Sequence, residues 1–187
     1  LATDPWTPYH RARGPEVTDP NQWQGDAMDV RAAEEVEIGH LAKIWHDGWH
    51  DAHAQIVSGE LTRLRTLKSF TERLRADLPN VRVVGPPGEP VGFCIVKGNE
   101  LYQLFVSAHS RGSGVAAALI ADAEARLSES GVETAWLACA IGNQRAARFY
   151  EKCGWHLAMT MVSHLDTVDG PVLLEVWRYE KLLKRAG

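Results

Sequence analysis

The sequence predicts an α/β fold of the α+β mixed-sheet kind, with elements in the order β-α-α-β-β-β-α-β-α-β-β. Three observations predict it. Segments 81–84, 91–96 and 101–106 are short, apolar and rich in β-branched or aromatic residues, with turn-forming Pro-Gly and Gly-Asn between them, which reads as an antiparallel meander. An Ala- and Leu-rich helical stretch then runs from Gly112 to Ser130 and into the apolar segment 132–140, so that 101–106 and 132–140 should be parallel neighbours joined by a right-handed crossover. Segments 155–164 and 172–179 close the chain as a hairpin about Asp169-Gly170.

Taken in order, residues 1–27 carry Pro5, Pro8, Pro15 and Pro20 with Trp6, Tyr9 and Trp23, and show neither helical nor strand periodicity. They form an N-terminal arm ahead of a domain at 28–187. The aromatic residues are its expected anchors, on this domain or on a neighbouring subunit, and a homodimer is the arrangement expected. Residues 29–33 read as a short strand, and 34–57 as a helix with Ile38, Leu41, Trp45, Gly48, Trp49 and Ala52 on one face. Glu34 and Glu35 suit its first turn. After a break at Ser58-Gly59, a second helix is expected over 61–78, ended by Pro79-Asn80. Gly131 supplies a left-handed stop after the crossover helix. Asn143 can cap a helix that stops at Gly154, and 181–187 is left as a tail.

A chain of 187 residues can bury one sizeable core, and a net charge of −4 offers no basic footprint for nucleic acid. The three cysteines, Cys94, Cys139 and Cys153, lack C-x-x-C spacing and read as reduced residues of a cytoplasmic protein. There is no run of about 18 apolar residues and no leader pattern, so neither a membrane span nor export is expected.

The chemistry concentrates at the junction after segment 101–106, where Arg111-Gly112-Ser113-Gly114-Val115-Ala116 opens a helix. Two glycines leave backbone N–H groups unobstructed, and the helix terminus adds roughly half a positive charge, which together make a phosphate cradle. Neither the Gly-Lys-Ser/Thr of a P-loop nor G-x-G-x-x-G spacing is present. The stretch resembles instead the acetyl-CoA signature of the GNAT superfamily of N-acetyltransferases, Arg/Gln-x-x-Gly-x-Gly/Ala, here Arg111-x-x-Gly114-x-Ala116. A second stretch, from Asn143 through Ala146, Phe149 and Tyr150 to Gly154-Trp155, is similar to that family's Asn-x-x-Ala-x-x-Phe/Leu-Tyr followed by Gly-Phe/Trp. The resemblance covers about residues 29–182, and the predicted order of elements is that of the GNAT fold.

The resemblance implies acetyl-CoA as cosubstrate and an amine as acceptor. His46, His50 and His53 share one helical face at i, i+4 and i+7, but no glutamate or cysteine joins them at a ligand spacing, so a solvated face and no metal are expected. The pyrophosphate would sit on Arg111, Gly112, Ser113, Gly114, Val115 and Ala116. Strands splayed at their C-terminal ends would pair with the pantetheine arm, with the backbone of Phe105 or Val106 holding the thioester carbonyl. Tyr150 is expected to protonate the leaving thiolate, since a phenol near pKa 10 keeps its proton at neutral pH. Asn143 either only caps its helix or also meets the pantetheine arm. Glu100 is the candidate base, where the histone-acetylating type keeps a glutamate, against a reading as a solvated turn carboxylate; His53, Glu175 and a water chain are the other candidates. Trp45, Trp49 and His53 fall at i, i+4 and i+8 and could wall the acceptor pocket or simply pack the core. A non-catalytic acyl-CoA-binding or interaction module on the same fold is the alternative.

Overall fold

The computed structural model describes residues 28–183. Strands β1 (Val30–Ala32), β2 (Val81–Val84), β3 (Gly92–Lys97), β4 (Glu100–Val106), β5 (Thr134–Ala140), β6 (His156–Leu165) and β7 (Val172–Leu182) form one sheet in the order β1-β2-β3-β4-β5-β7-β6. The helices are α1 (Ile38–His53), α2 (Gly59–Leu64), α3 (Leu67–Asp77), α4 (Val115–Glu129) and α5 (Gln144–Lys152). The expected meander β2-β3-β4 is antiparallel throughout, and β4 and β5 are parallel across the α4 crossover. The final hairpin pairs as expected, with β7 lying between β5 and β6.

Period-two alternation divides the interior between the two faces of the sheet. On β3, Phe93 and Ile95 point toward a core shared with Leu41, Trp45 and Phe70 of α1 and α3, while Cys94 between them joins Leu119, Leu127, Leu137 and Trp155 on the α4 side. Each face of the central strands is therefore covered by helices.

Four boundaries differ from the sequence expectation. The first helix is preceded by a 3-10 turn at Glu35–Glu37, because Glu37 folds inward, fully buried. Its carboxylate accepts from Arg31 Nη1 (3.0 Å) and Nη2 (2.6 Å), from the Glu34 N–H (2.9 Å) and from the Gly88 N–H (2.9 Å). The helix expected over 61–78 is two helices. Arg65 leaves helical geometry (ψ 68°), and Thr66 caps α3 by accepting from the Ser69 N–H at 3.2 Å. Helix α4 begins only at Val115, after Gly114 in left-handed geometry (φ 93°). The last strand runs through Leu182, which pairs with Thr134, so its end belongs to the sheet and not to the expected tail. The readings for Trp6, Tyr9, Trp23 and the arm at 1–27 lie outside the described residues.

Candidate active site

Parallel pairing of β4 with β5 is confined to Glu100 opposite Trp136, at the start of both strands. The Trp136 N–H donates to Asn99 O (3.1 Å), and the strands then part. The Ser107 N–H is taken by Val91 on the β3 side (2.8 Å), so by strand alternation Leu104 and Val106 direct their backbone groups toward the gap. Ala138 and Ala140 face it from β5 by the same alternation, and all four residues line the cleft. A register shift opposite Ile95 and Val96 places a bulge near Tyr102, a feature that commonly re-aims strand groups beside active sites. The cleft has a volume of about 510 Å³.

The gap opens onto the Gly-rich junction. A 3-10 turn at Ala108–Ser110 is followed by Gly112 and Gly114, both at positive φ (80° and 93°), a backbone shape that side-chain-bearing residues rarely adopt. No side chain of a described residue caps α4, which leaves its first-turn N–H groups available to an anion. Arg111, Gly112, Gly114 and Ala116 line the cleft. Val115 instead sends its side chain into the core, and Ser113 turns its hydroxyl to Ser110 O at 2.6 Å. Those two contribute backbone at most.

Across the mouth of the cleft, Asp51 of α1 holds two guanidiniums on one carboxylate oxygen: Arg145 at 2.7 Å and Arg111 at 3.0 Å. The Arg145 hydrogen bond, with the charges of both arginines, holds the Asp51 carboxyl below its usual value.

Tyr150 and Glu100 share this cleft. Burial pushes the Tyr150 phenol well above its ordinary pKa, so it is a proton donor throughout the neutral range, and no described residue takes its hydroxyl in a hydrogen bond. Burial also pushes the Glu100 carboxyl up to about 7, against the opposing charges of Lys97 and Arg178. A carboxyl poised there is suited to accepting a proton near neutrality. Asn143 lines the cleft while its Oδ1 caps α5 by accepting from the Ala146 N–H at 3.2 Å.

The family model described as the acetyltransferase (GNAT) family matches residues 41–155, more than half of the chain. The chain belongs to the GNAT acetyltransferase family. Its fold is also that of solved members. A GCN5-related N-acetyltransferase from Rhodopseudomonas palustris superposes with a TM-score of 0.66 at 20% identity, covering 83% of this chain and 95% of that one. The PaiA N-acetyltransferase from Thermoplasma acidophilum, solved with coenzyme A, gives 0.59 at 17% identity over 82% and 98%. YncA from Salmonella typhimurium, a putative acetyltransferase solved with acetyl-CoA, gives 0.61 at 14% over 87% and 98%. No curated protein matches the chain significantly.

On the α1 side of this GNAT cleft, Trp49 and His53 line the wall, with their rings stacked at 5.1 Å. His53 Nδ1 lies 2.9 Å from Trp49 O and donates to it, and burial keeps the imidazole below its ordinary pKa, hence neutral near pH 7. Trp45 does not line the cleft. It is fully buried against Phe70 and Phe93, with Arg73 over its ring, so of the two readings of its position the core one holds. Glu175, exposed on β7 between Leu174 and Val176, alternates away from the cleft that those two neighbours line. The histidines at 46, 50 and 53 do not converge on a shared point: His50 Nε2 is 2.8 Å from Arg65 O, and His53 Nδ1 is on Trp49 O. Among the described residues no group of three or more His, Cys, Asp or Glu could hold a metal ion. Cys139 lines the cleft, but burial pushes its thiol up to about 12, which leaves almost no thiolate at neutral pH.

Sequence reasoning missed Tyr102, Arg145, Leu165 and Leu174 as cleft residues. Arg145 lay inside the second motif and was passed over. Tyr102 needed the bulge, and Leu165 and Leu174, though on a hairpin that the family resemblance places by the acceptor, needed the tertiary contact of that hairpin with Arg65 to be named.

Proposed function

We propose that this protein is an N-acetyltransferase that moves an acetyl group from acetyl-CoA to a primary amine by direct attack in a ternary complex. The observation that carries the reading is a single cleft in which the open strand edges of β4 and β5, the uncapped start of α4, Glu100 and Tyr150 meet. These residues fit the cosubstrate. Unpaired N–H and C=O groups of β4 and β5 match the amides of a pantetheine arm, and positive-φ glycines at the head of α4 leave room for a pyrophosphate at backbone distance. Arg111 and Arg145 can exchange the Asp51 carboxylate for phosphate oxygens. Solved relatives that hold coenzyme A or acetyl-CoA support the same choice.

Bound there, acetyl-CoA supplies an activated acyl group on a sulfur that can leave as a thiolate. Backbone N–H groups of Leu104 and Val106 face the gap and would stabilise negative charge as it develops on the carbonyl oxygen. Glu100, ionised in about half of the molecules at pH 7, would accept the proton that the attacking amine must lose. Tyr150 would donate its phenolic proton to the departing sulfur. Trp49, Leu165 and Leu174 would exclude water around the acceptor. The cleft's volume is in the range of small-molecule sites, which supports a small amine over a protein.

The test is thiol release from acetyl-CoA over a panel of primary amines, with cosubstrate binding followed by calorimetry. Amine-dependent thiol release is expected. Tight binding without release from any amine would point to a non-catalytic acyl-CoA-binding module, and absence of binding would overturn the reading altogether.

A further inference from the structure

Beside the cleft stand two guanidiniums, Arg65 and Arg73, that no carboxylate of a described residue meets at ion-pair distance. Arg65, at the C-terminus of α2, is only 4% exposed. Its guanidinium makes one hydrogen bond, from Nη1 to the backbone carbonyl of Asp166 at 3.0 Å, and no carboxylate of a described residue stands within ion-pair distance of it. Burial, with the like charge of Arg73, draws its pKa down to about 10, and the charge of the Asp166 carboxylate only partly opposes this. A guanidinium buried to this degree ordinarily has an anionic partner, because desolvating an unpaired charge costs several kcal/mol.

Arg73 of α3 is a second guanidinium without a carboxylate partner among the described residues. Its plane lies over Trp45 (4.5 Å to the ring centroid), and its Nη2 donates to the Tyr102 hydroxyl at 2.5 Å. Lys97 places its ammonium 3.9 Å from the centre of the Tyr102 ring, although it is paired with Asp77. The Tyr102 oxygen thus accepts from Arg73, and no described residue accepts its own O–H. Tyr102 lines the cleft, as does Leu165, the residue before Asp166. Neither guanidinium lines the cleft itself; each reaches it through a neighbour, Arg73 through the Tyr102 hydroxyl and Arg65 through the residue after Leu165.

We propose that the amine acceptor carries a carboxylate, and that this group docks on the Tyr102 hydroxyl with Arg73 and Arg65 behind it as its counter-charges. This rests on the acetyltransferase reading and narrows it to amino-acid-like acceptors. Trp49, Leu165 and Leu174 leave an apolar wall beside the anion, so the carrier is an amino acid with an apolar or aromatic side chain. Its carboxylate completes the neutralisation that the fold leaves open.

The experiment compares matched pairs that differ only in the carboxylate: phenylalanine with phenethylamine, tyrosine with tyramine, and tryptophan with tryptamine. Thiol release gives kcat/KM for each, and titration in the presence of coenzyme A, followed by tryptophan fluorescence, gives binding without turnover. The acid should exceed its amine by at least about 100-fold in kcat/KM or in affinity, the scale expected when a built polar site meets an analogue lacking the group. In Tyr102→Phe and in Arg73→Gln that ratio should collapse toward parity through KM, while acetyl-CoA affinity holds. Parity or preference for the amine in the wild type, failure of both members to bind, or a preference that Tyr102→Phe leaves intact overturns the proposal. Acetylation of the plain amines at full rate would overturn the carboxylate site alone and leave the acetyltransferase standing. Selective binding of the acids with no thiol release would do the reverse.

Discussion

Tyr150 is asked to do one thing in the proposed reaction, to donate a proton to the departing sulfur, and its environment suits that role and no other. Removing only the phenolic oxygen should therefore spare binding: Tyr150→Phe is expected to keep acetyl-CoA affinity in calorimetry and to lower kcat by roughly 10²–10⁴-fold, the usual worth of general acid catalysis. A loss confined to KM would mark Tyr150 as a positioning residue. Glu100 has the complementary signature. Its carboxyl, raised to about 7 by burial, gives kcat/KM that climbs as pH rises through about 7, and Glu100→Gln should remove that inflection along with most of the rate. Stability moves the other way. The folded pKa lies above the ordinary 4.5, so the stabilising contribution is complete below about 4.5 and is lost as pH rises through about 7. Glu100→Gln should consequently be more stable than the wild type at pH 8, by on the order of 1 kcal/mol once partial solvation is allowed for. A slower yet more stable variant, seen by kinetics and thermal melting together, is the outcome that fits a functional carboxylate. Both residues were legible in the sequence as positions. Their protonation behaviour was not, because burial in the cleft sets it.

Among the elements, the head of α4 decides whether an anion can approach. Gly114 has φ 93°, and a Cβ there would stand 2.9 Å from Met28 Cε, so a side chain meets both backbone strain and a neighbour. Gly114→Asp adds a negative charge where phosphate is to sit, and like charges so juxtaposed cost several kcal/mol, so acetyl-CoA affinity should fall by at least about 100-fold in calorimetry. Unchanged affinity would remove the cradle from the cofactor site. The turn before α1 depends on Glu37 in a comparable way. With its pKa lowered to about 2, chiefly by the Arg31 hydrogen bonds, its contribution is present above about 4.5 and is lost as pH falls through about 2. Glu37→Gln should cost about 3 kcal/mol at pH 7, the scale of breaking a buried pair, and the gap between the variant and the wild type should close on acidification in denaturant melts. The same elements show where local reading stopped. Apolar periodicity runs through 61–78 without interruption, whereas the break at Arg65 and Thr66 comes from a side-chain cap that competes with the helix and leaves the apolar spacing untouched.

Scaled up to the whole molecule, β6 is an edge strand, paired among the described strands only with β7, and it carries Leu157, Met159 and Val162 about half exposed. A long apolar edge of this kind is a template for pairing with another chain, and it supports the proposal that the protein is a homodimer. The arm at 1–27, with Trp6, Tyr9 and Trp23, is proposed to contribute to that interface. Deleting residues 1–25 should shift sedimentation toward the monomer with acetyl-CoA binding largely intact. A full-length protein that sediments as a monomer at micromolar concentration would overturn the dimer.

Apart from the split of the second helix in two, the order of elements, the parallel crossover, the Gly-rich start of α4 and the place of Tyr150 on its helix could be read from the sequence, because periodicity, turn glycines and helix starts are written over neighbouring residues. Membership of the GNAT family was legible for the same reason, in two motifs of fixed spacing. Only the tertiary structure decided that β7 inserts between β5 and β6, that Trp45 is wholly core while Trp49 packs in the same core and also lines the cleft, and that Arg145 and Tyr102 line that cleft. Those facts rest on contacts between residues far apart in the chain: Arg145 with Asp51 across 94 positions, Arg65 with Asp166 across 101, and Arg73 with Tyr102 across 29. No local pattern encodes such pairings. They exist because two packed cores fix the sheet between its helices, and these charged side chains are brought together as a consequence.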